Sequence, residues 1–290
     1  MSEPLPLRKP VAWVTGAGGL IGSYLVRTVS ESASRWQIRA LTRADLDLTD
    51  HAAVARLFHR EAPNLVIHCA ALSKTGACES NPQLAHQLNV ATTDCLADLA
   101  GHIPFFFFST DLVFDGQAGH YDEAAPVNPL GVYGETKVAA EEIVRRNPRH
   151  TVLRTSLNGG ISPTGDRGFN EEIRKAWQDG REITLFIDEY RCPLPASITA
   201  LAVWELAALD RPGLFHLAGG ERYSRWQIGT CLAARWPHLE ARIRAATLKE
   251  FKGAPRSPDT SLNCAKLQEL LSFSLPALRD WLEQNPTMPF

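Results

Sequence analysis

The stretch VAWVTGAGGLIG at residues 11–22 joins a short apolar run to four closely spaced glycines. Residues 11–14 predict a buried parallel strand, and the apolar spacing from Leu20 to Val29 predicts a helix. A strand, a glycine-rich turn and a helix together form a site for a pyrophosphate at the helix N-terminus. Gly16, Gly19 and Gly22 follow a G-x-x-G-x-x-G pattern, for which the alternative is a glycine-rich turn without a ligand.

Strand-like and helix-like patterns alternate through the first half of the chain. This alternation predicts an α/β fold with a parallel sheet that is covered by helices on both faces. Four consecutive phenylalanines at 105–108 fit such a sheet, because both faces of their strand would be buried. The predicted strands are 11–14, 38–41, 65–69, 103–108 and 151–154, and the predicted helices include 51–60, 82–100 and 134–146.

The pattern changes beyond residue 155. Glycine and polar residues dominate 158–168. Residues 224–283 are predicted to be mostly helical, with loops at 253–259. We find no internal repeat and no low-complexity linker. The remaining predicted elements are a helix at 169–178, a strand at 182–187, a helix at 198–209 and a strand at 214–217.

Thr110, Tyr133 and Lys137 have the residue types and the spacing of a carbonyl-reducing site. Tyr133 and Lys137 are four residues apart, so on a helix they lie on one face. A lysine ammonium close to a phenol lowers the tyrosine pKa from about 10. Tyr133 is therefore predicted to exchange a proton near neutral pH. The alternatives are a buried helix tyrosine at 133, and Ser109 instead of Thr110 as the hydroxyl at the strand end.

Four segments together resemble the extended short-chain dehydrogenase/reductases: TGAGGLIG at 15–22, STDLVFDG at 109–116, PLGVYGETK at 129–137 and RTS at 154–156. Within that superfamily the chain most closely resembles the dTDP-4-dehydrorhamnose reductase group. The resemblance extends from about residue 11 to about residue 210. It implies a Rossmann-type doubly wound parallel sheet with a smaller, mostly helical C-terminal substrate lobe.

The resemblance also implies a discontinuous division of the chain into two domains. Residues 9–156 and 196–218 would form the NAD(P)-binding domain. Residues 157–195 and 219–290 would form the substrate lobe. Local sequence patterns by themselves do not mark this boundary.

The end of the second predicted strand bears on the choice of cofactor. An acidic residue there suits the ribose of NAD, whereas a basic one suits the additional phosphate of NADP. Here Thr42 and Arg43 come first, and a guanidinium binds phosphate in a bidentate manner. We therefore favour NADP(H) over NAD(H), the alternative being that Arg43 is a solvated surface residue. The predicted cofactor-binding residues, several of them implied only by the resemblance, are Gly16, Gly19, Leu20, Ile21, Gly22, Thr42, Arg43, Asp47, Leu48, Cys69, Ala70, Ala71, Tyr133 and Lys137.

The resemblance further implies a catalytic role for each member of the triad. Thr110 would hydrogen-bond the substrate carbonyl, Tyr133 would donate the proton, and Lys137 would hold the nicotinamide ribose. The predicted substrate-binding residues are Thr110, Asp111, Leu112, Leu157 and Arg191.

The identity of the substrate is left undetermined by three residues, Leu112, Leu157 and Arg191. A dehydratase is disfavoured because leucine at 112 cannot act as the second acid-base group. The dTDP-4-dehydrorhamnose reductases usually have an aromatic residue at the position of Leu112 and tryptophan at that of Leu157, and both positions are expected to face the sugar. Arg191 would either contact a phosphate or brace its loop.

Several functions are compatible with these features. The first is an NADPH-dependent reductase of the 4-keto group of a sugar nucleotide, and a variant of it is a reductase of a smaller aldehyde or ketone. The second is a non-catalytic NADP-binding subunit similar to the regulatory subunit of methionine adenosyltransferase. The complete triad favours the enzyme. An epimerase that retains its cofactor is disfavoured, because Arg43 suits exchangeable NADPH.

Composition excludes several other classes of protein. The 290 residues are 44% hydrophobic and 21% charged with a formal charge of -2, so neither nucleic acid nor a membrane is expected as a partner. The six cysteines show no metal-ligand spacing and predict buried thiols in a reducing compartment. Residues 1–10 lack the apolar core of a signal peptide, and no apolar run spans a membrane. A cytoplasmic enzyme is therefore expected, with a homodimer as a family-level expectation.

Overall fold

Six parallel strands form the central sheet in the computed structural model, which describes residues 9–28 and 31–290. The predicted helix end at Val29 and most of the segment considered as a leader lie outside the described residues. The first-half elements are β1 (Val11–Thr15), α1 (Leu20–Arg27), α2 (Glu31–Ser34), β2 (Gln37–Leu41), α3 (His51–Glu61), β3 (Leu65–His68), α4 (Thr75–Ser80), α5 (Pro82–His86), α6 (Thr92–Leu99), β4 (Phe105–Thr110), α7 (Val132–Arg145) and β5 (His150–Thr155). The second-half elements are β6 (Asn158–Gly159), α8 (Phe169–Gln178), β7 (Ile183–Phe186), β8 (Tyr190–Arg191), β9 (Leu194–Pro195), α9 (Ala196–Leu209), β10 (Gly213–Leu217), β11 (Tyr223–Ser224), α10 (Arg225–Arg235), β12 (Ile243–Ala246), α11 (Ala265–Gln268) and α12 (Leu278–Gln284).

The strand order β10-β5-β4-β3-β1-β2 makes this a doubly wound sheet, as predicted. β1 lies between β2 and β3, and Thr15 at its end is in register with Leu41 on one side and His68 on the other. The order therefore reverses next to β1. In such sheets ligands bind outside the carboxyl ends of the strands at this reversal point.

The four phenylalanines of β4 pack into both layers of the protein. Phe106 and Phe108 belong to the core that α1 and α9 cover, whereas Phe105 and Phe107 belong to the core under α3, α6 and α7. A strand alternates its side chains between faces, so an unbroken aromatic run requires a cover on each side. Each buried ring contributes roughly 1.5–3 kcal/mol to the free energy of unfolding. This run therefore stabilises both helix layers against one strand.

The predicted helix at 82–100 is interrupted by one π-helical turn, Gln87–Ala91. Asn89 in this turn is buried. Its Oδ1 accepts from Leu72 N at 2.8 Å, and its Nδ2 donates to Thr136 Oγ1 at 3.0 Å. Such turns insert a residue and redirect side chains, often near functional sites. Here the turn connects the loop after β3 to α7.

The chain returns to the sheet after residue 195. Helix α9 packs on α1, and Trp204 Nε1 donates to Leu25 O at 3.1 Å. Strand β10 then pairs with β5 at the sheet edge. Residues 196–217 thus contribute to the sheet layers, although the domain boundaries themselves remain a prediction.

Residues 224–283 are less helical than expected. Strand β12 pairs with β7 in parallel, β8 pairs with β11, and β6 pairs with β9. These pairs join distant segments, so local periodicity could not indicate them. A third hydrophobic core, around Trp177, Leu232 and Trp281, lies beneath them. Within the described residues, no helix combines the length and the apolarity needed to cross a membrane.

Candidate active site

The turn between β1 and α1 requires glycine at two positions. Gly16 has a φ of 67°, and a Cβ there would lie 2.6 Å from Ala70 N. A Cβ at Gly22 would lie 2.3 Å from Gly16 O. Both positions therefore exclude any side chain, the first also because positive φ favours glycine. The loop after β3 and the start of α1 approach the turn from either side.

The N-terminus of α1 fits an anionic ligand. No side chain caps the helix at Gly19, and its first turn has no acidic residue. The first N–H groups of a helix lack partners within it and carry partial positive charge. The turn lies at the point where the strand order reverses. The site therefore has the features of an anion-binding helix N-terminus, and that the backbone of Leu20 and Ile21 holds a diphosphate stays a prediction.

Arg43 is the free charged group at the end of β2. Thr42 donates to Asp45 Oδ2 through N at 3.0 Å and Oγ1 at 2.6 Å. Asp47 Oδ1 accepts from Thr49 N at 3.0 Å and from its Oγ1 at 2.8 Å. Arg43 is exposed and forms no hydrogen bond or ion pair with any described residue. Hydrogen bonds from Thr49, and to a smaller extent the charge of Arg43, lower the pKa of Asp47. Arg43 makes no direct contact with this carboxylate, so its exposed guanidinium is available to an external anion.

The loop after β3 forms the opposite side of the glycine turn. Cys69 N donates to Thr15 O at 3.3 Å, and the backbone of Ala70 lies against Gly16. Burial raises the pKa of the Cys69 thiol, so the side chain stays neutral. Ala71 is exposed and Leu48, on the far side, is half-buried. Small neutral side chains leave room for a ligand here.

Strand alternation separates Ser109 from Thr110. Ser109 donates to Glu141 Oε1 at 2.5 Å in the buried layer under α7. Thr110 Oγ1 accepts from Leu112 N at 3.2 Å and donates to Asp111 Oδ1 at 3.2 Å. Thr110 therefore remains the candidate hydroxyl beside Tyr133, and Ser109 is committed elsewhere.

The structure brings Tyr133 and Lys137 together, but the predicted lowering of the Tyr133 pKa is wrong for the protein chain alone. Burial and the carboxylate of Asp111 raise the pKa of Tyr133, and a hydrogen bond with Thr110 opposes them only in part. Burial also lowers the pKa of Lys137 to about 7. Its Nζ lies 3.9 Å from the centroid of the Phe107 ring. Near neutral pH the phenol therefore keeps its proton.

Asp111 and Arg191 form a buried ion pair. Arg191 Nε lies 3.6 Å from Asp111 Oδ2, which also accepts from Ser156 Oγ at 2.7 Å and Thr260 Oγ1 at 2.9 Å. Arg191 Nη1 donates to two main-chain carbonyls, one of them Ser257 O at 3.0 Å. Of the two alternatives for Arg191, this geometry supports bracing of the loop. The Asp111 carboxylate is likewise occupied by protein groups.

The two predicted sugar-facing leucines do not share one wall. Leu112 and Tyr133 line a cavity of about 30 Å³ together with Glu79, Ala254 and Pro255. Leu157 does not line this cavity. Its side chain packs against the third hydrophobic core, in which the chain end contributes Phe290. The two leucines therefore lie in different surroundings, and the expectation that both face the sugar stays a prediction.

Arginines of the second lobe form a cluster that the sequence patterns did not indicate. The buried Glu189 lies 3.0 Å from Arg191 Nη2 and 3.0 Å from Arg256 Nη1. Half-buried Arg225 joins them, and burial lowers the pKa of Arg225 to about 10. The cluster combines three distant segments, so no local motif could have indicated it.

A family and several proteins are similar to this chain. The family described as "RmlD substrate binding domain" matches residues 12–286. A probable low-salt glycan biosynthesis reductase, Agl14, from Haloferax volcanii is 31% identical over 284 residues, 93% of this chain and 95% of that protein. Methionine adenosyltransferase 2 subunit beta from Xenopus laevis is 28% identical, with 89% and 82% covered. A dTDP-4-dehydrorhamnose reductase from Sinorhizobium fredii is 27% identical, with 94% of each covered.

Solved structures have the same fold. A dTDP-4-dehydrorhamnose reductase from Bacillus anthracis, in complex with NADP, superposes with a TM-score of 0.88. The match covers 96% of this chain and 98% of that one at 22% identity. At this identity the likeness shows the fold: a Rossmann-type sheet with helices on both faces.

Proposed function

The chain belongs to the family described as RmlD substrate binding domain, and from this premise we propose that it is a reductase that uses a nicotinamide dinucleotide to reduce the 4-keto group of a sugar nucleotide. One observation carries the proposal: Thr110 at the carboxyl end of β4 hydrogen-bonds Tyr133 on α7, and Lys137 lies one turn further along the same helix. The glycine turn that would hold a diphosphate lies at the same edge of the sheet. The Haloferax and Sinorhizobium relatives are named as reductases, which supports it.

The residues of this chain divide the reaction between them. When bound, the dinucleotide supplies a hydride to the substrate carbonyl carbon. Thr110 and Tyr133 bind the carbonyl oxygen through their hydroxyls, and Tyr133 gives its proton to that oxygen. Burial and the Asp111 carboxylate raise its pKa, so the phenol is protonated before the reaction. Lys137 would hold the ribose and, when protonated, would add positive charge beside the developing alkoxide. The general-acid help from Tyr133 is worth about 10²–10⁴-fold in rate.

Arg43 is expected to make NADPH the preferred cofactor. Its side chain is exposed and unpaired among the described residues at the end of β2, so it can bind the ribose phosphate of NADPH. Arg43→Ala should weaken NADPH binding about tenfold or more and leave NADH binding almost unchanged. Fluorescence titration of both cofactors measures this. Equal dissociation constants for NADPH and NADH in the unmodified protein would contradict the assignment.

Charge in the second lobe supports a phosphate-bearing substrate. Arg191, Arg225 and Arg256 surround the single buried carboxylate of Glu189, and Asp111 pairs with the first of them. The Glu172 carboxylate also faces Arg225, so the cluster is close to charge balance. Arg256 is 36% exposed, and its guanidinium can also bind the diphosphate of a sugar nucleotide. A small aldehyde or ketone has no such group.

Leu112 is expected to disfavour dTDP-4-dehydrorhamnose relative to another keto-sugar nucleotide. Leucine stands where those reductases usually have an aromatic ring. Such a ring would contribute about 1 kcal/mol of binding free energy in addition to the effect of its buried area. We expect a specificity constant below about 10⁵ per molar per second on that substrate. Leu112→Phe should raise it several-fold. Leu157→Phe is the matched control; it should lower stability by overpacking the third core without raising the specificity constant.

A screen of NADPH oxidation separates the candidate functions. Keto-sugar nucleotides, simple aldehydes and simple ketones are compared at equal concentration. The proposal expects turnover with a 4-keto sugar nucleotide. Turnover confined to small carbonyl compounds would show that the substrate is a small aldehyde or ketone and not a sugar nucleotide. NADPH binding without turnover on any carbonyl would favour the regulatory alternative, which the likeness to methionine adenosyltransferase 2 subunit beta motivates.

We also propose a cytoplasmic location. The cysteines are all free thiols, and burial raises the pKa of Cys69, Cys78, Cys192 and Cys264, which suits a reducing compartment. The homodimer remains a prediction. The expected absence of nucleic-acid and membrane partners likewise remains a prediction.

A further inference from the structure

Two side chains of α7 lie over two side chains of β4. Lys137 and Glu141 are four residues apart on one helix face, and Phe107 and Ser109 are two apart on one strand face. Lys137 Nζ lies 3.9 Å from the Phe107 ring centroid, and Ser109 Oγ donates to Glu141 Oε1 at 2.5 Å. All four residues are buried. Helical side chains lean towards the helix N-terminus, so Glu141 leans towards Lys137.

Glu141 is fixed from the neighbouring strand as well. Arg154 on β5 donates to its two carboxylate oxygens, through Nη2 at 2.7 Å and Nε at 3.0 Å. Behind Arg154 lies His216, with Nε2 3.5 Å from Nη1. Burial lowers the pKa of His216 to about 4, so its ring is neutral near pH 7. Three donors on two strands thus hold one ionised carboxylate in place.

Lys137 has few other sources of stabilisation for its charge. Its amine forms no hydrogen bond or ion pair with any residue in the described part of the chain, and burial opposes protonation. At the end of β3, burial lowers the pKa of His68 to about 3 and raises that of Cys69.

Two further neighbours are also neutral near pH 7. On α4 burial raises the pKa of Cys78, and on α7 it raises that of Tyr133. Asp111 at the end of β4 is paired with Arg191. Glu141 is itself paired with Arg154, but its carboxylate lies on the same helix face as Lys137, and its charge raises the pKa of Lys137.

We propose that Glu141 is a positioning residue whose fixed negative charge favours the protonated form of Lys137 in the active site, and that Ser109 and Arg154 hold Glu141 in place for this purpose. Ser109 thereby has a role distinct from that of Thr110, although the two hydroxyls are adjacent in sequence. The proposal rests on the proposed reductase function in one respect, namely that a charged Lys137 is needed to bind the dinucleotide.

Two substitutions within the same ion pair test the sign of the effect. Glu141→Gln removes the anion and should lower the pKa of Lys137 by roughly one pH unit or more, as expected for a charge a few ångströms away at an effective dielectric constant of about 20. Arg154→Gln removes the positive charge that offsets Glu141 and should raise the pKa of Lys137. Damage to the fold alone would shift the pKa of Lys137 in the same direction in both variants. Glu142→Gln, an exposed neighbour on α7, is the matched control and should shift nothing.

The readout is the titration of Lys137 itself. It is followed by the ¹³C shift of its Cε in lysine-labelled protein, assigned by its loss in Lys137→Arg. The pH dependence of NADPH binding is measured in parallel, and its alkaline limb should move with the pKa of Lys137. Unchanged Lys137 titration in Glu141→Gln, or equal shifts in both variants, overturns the proposal. If the pKa of Lys137 shifts as expected in both variants but the protein binds no NADPH, the proposed reductase function is rejected instead.

A double variant covers the event that a single variant does not fold. Glu141→Gln combined with Arg154→Gln removes both charges, and a buried ion pair is tolerated better when removed whole than when halved. Because Glu141 is among the charges that shift the pKa of Lys137 and Arg154 is not, the pKa of Lys137 should still fall. The fall should be smaller than in Glu141→Gln. A Lys137 titration equal to that of the unmodified protein would overturn the proposal.

Discussion

Tyr133→Phe is expected to lower kcat at least about a hundredfold while leaving the dissociation constant of NADPH nearly unchanged. The substitution removes the hydroxyl and keeps the ring, which is half-buried against α4 and Leu112. Burial holds the proton on this phenol, and the substitution removes that proton together with the hydroxyl. Steady-state kinetics on the substrate found in the NADPH screen, with fluorescence titration of the cofactor, measures both quantities.

Two further variants make the Tyr133 result specific. Lys137→Ala should lose turnover and cofactor affinity together, because we propose that Lys137 holds the ribose as well as acting beside the reacting carbonyl. Tyr24→Phe removes a hydroxyl that accepts from Ile161 N at 3.2 Å, outside the triad, and should retain turnover. Full activity of Tyr133→Phe on the true substrate would show that the triad is assigned wrongly.

The sheet could be predicted from the sequence because its signals are local. Each apolar run needs both faces covered, and this need is visible in the residues themselves, as with Phe105 to Phe108. Predicted strand 214–217 became β10, and the helix predicted at 169–178 became α8 with the same bounds. The glycine turn could be predicted for the same reason. Close backbone approach at Gly16 and Gly22 permits only glycine, so the turn is visible in the sequence.

Features that depend on distant partners could not be predicted in this way. The pairing of β12 with β7 joins residues about sixty positions apart. The orientation of Leu157 depends on a core that the chain end completes with Phe290.

The pKa values of the site are the clearest example of a property that local sequence patterns cannot predict. Spacing placed Tyr133 and Lys137 together correctly, but spacing carries no information on burial. Burial governs both pKa values, and it reverses the predicted direction for Tyr133.

Gly16→Ala and Gly22→Ala are expected to be the most damaging single substitutions in the cofactor turn. At Gly16 the added Cβ meets backbone atoms of Ala70 at 2.6 Å, and the φ of 67° adds strain. At Gly22 the Cβ meets Gly16 O at 2.3 Å. Backbone atoms cannot swing aside as side chains do, so each variant should lose about 2–4 kcal/mol of unfolding free energy. NADPH binding should be lost as well, because the turn must open.

Gly18→Ala provides the control within the same loop. A Cβ at this position has only the Thr42 methyl near it, at 3.9 Å, so stability should change by less than about 0.5 kcal/mol. Urea unfolding of the three variants measures the difference, and cofactor titration follows for each variant that folds. Equal stability of all three would mean that glycine at 16 and 22 is dispensable. If the expected order holds, close backbone approach explains why the G-x-x-G-x-x-G spacing, and not Gly18, defines this turn.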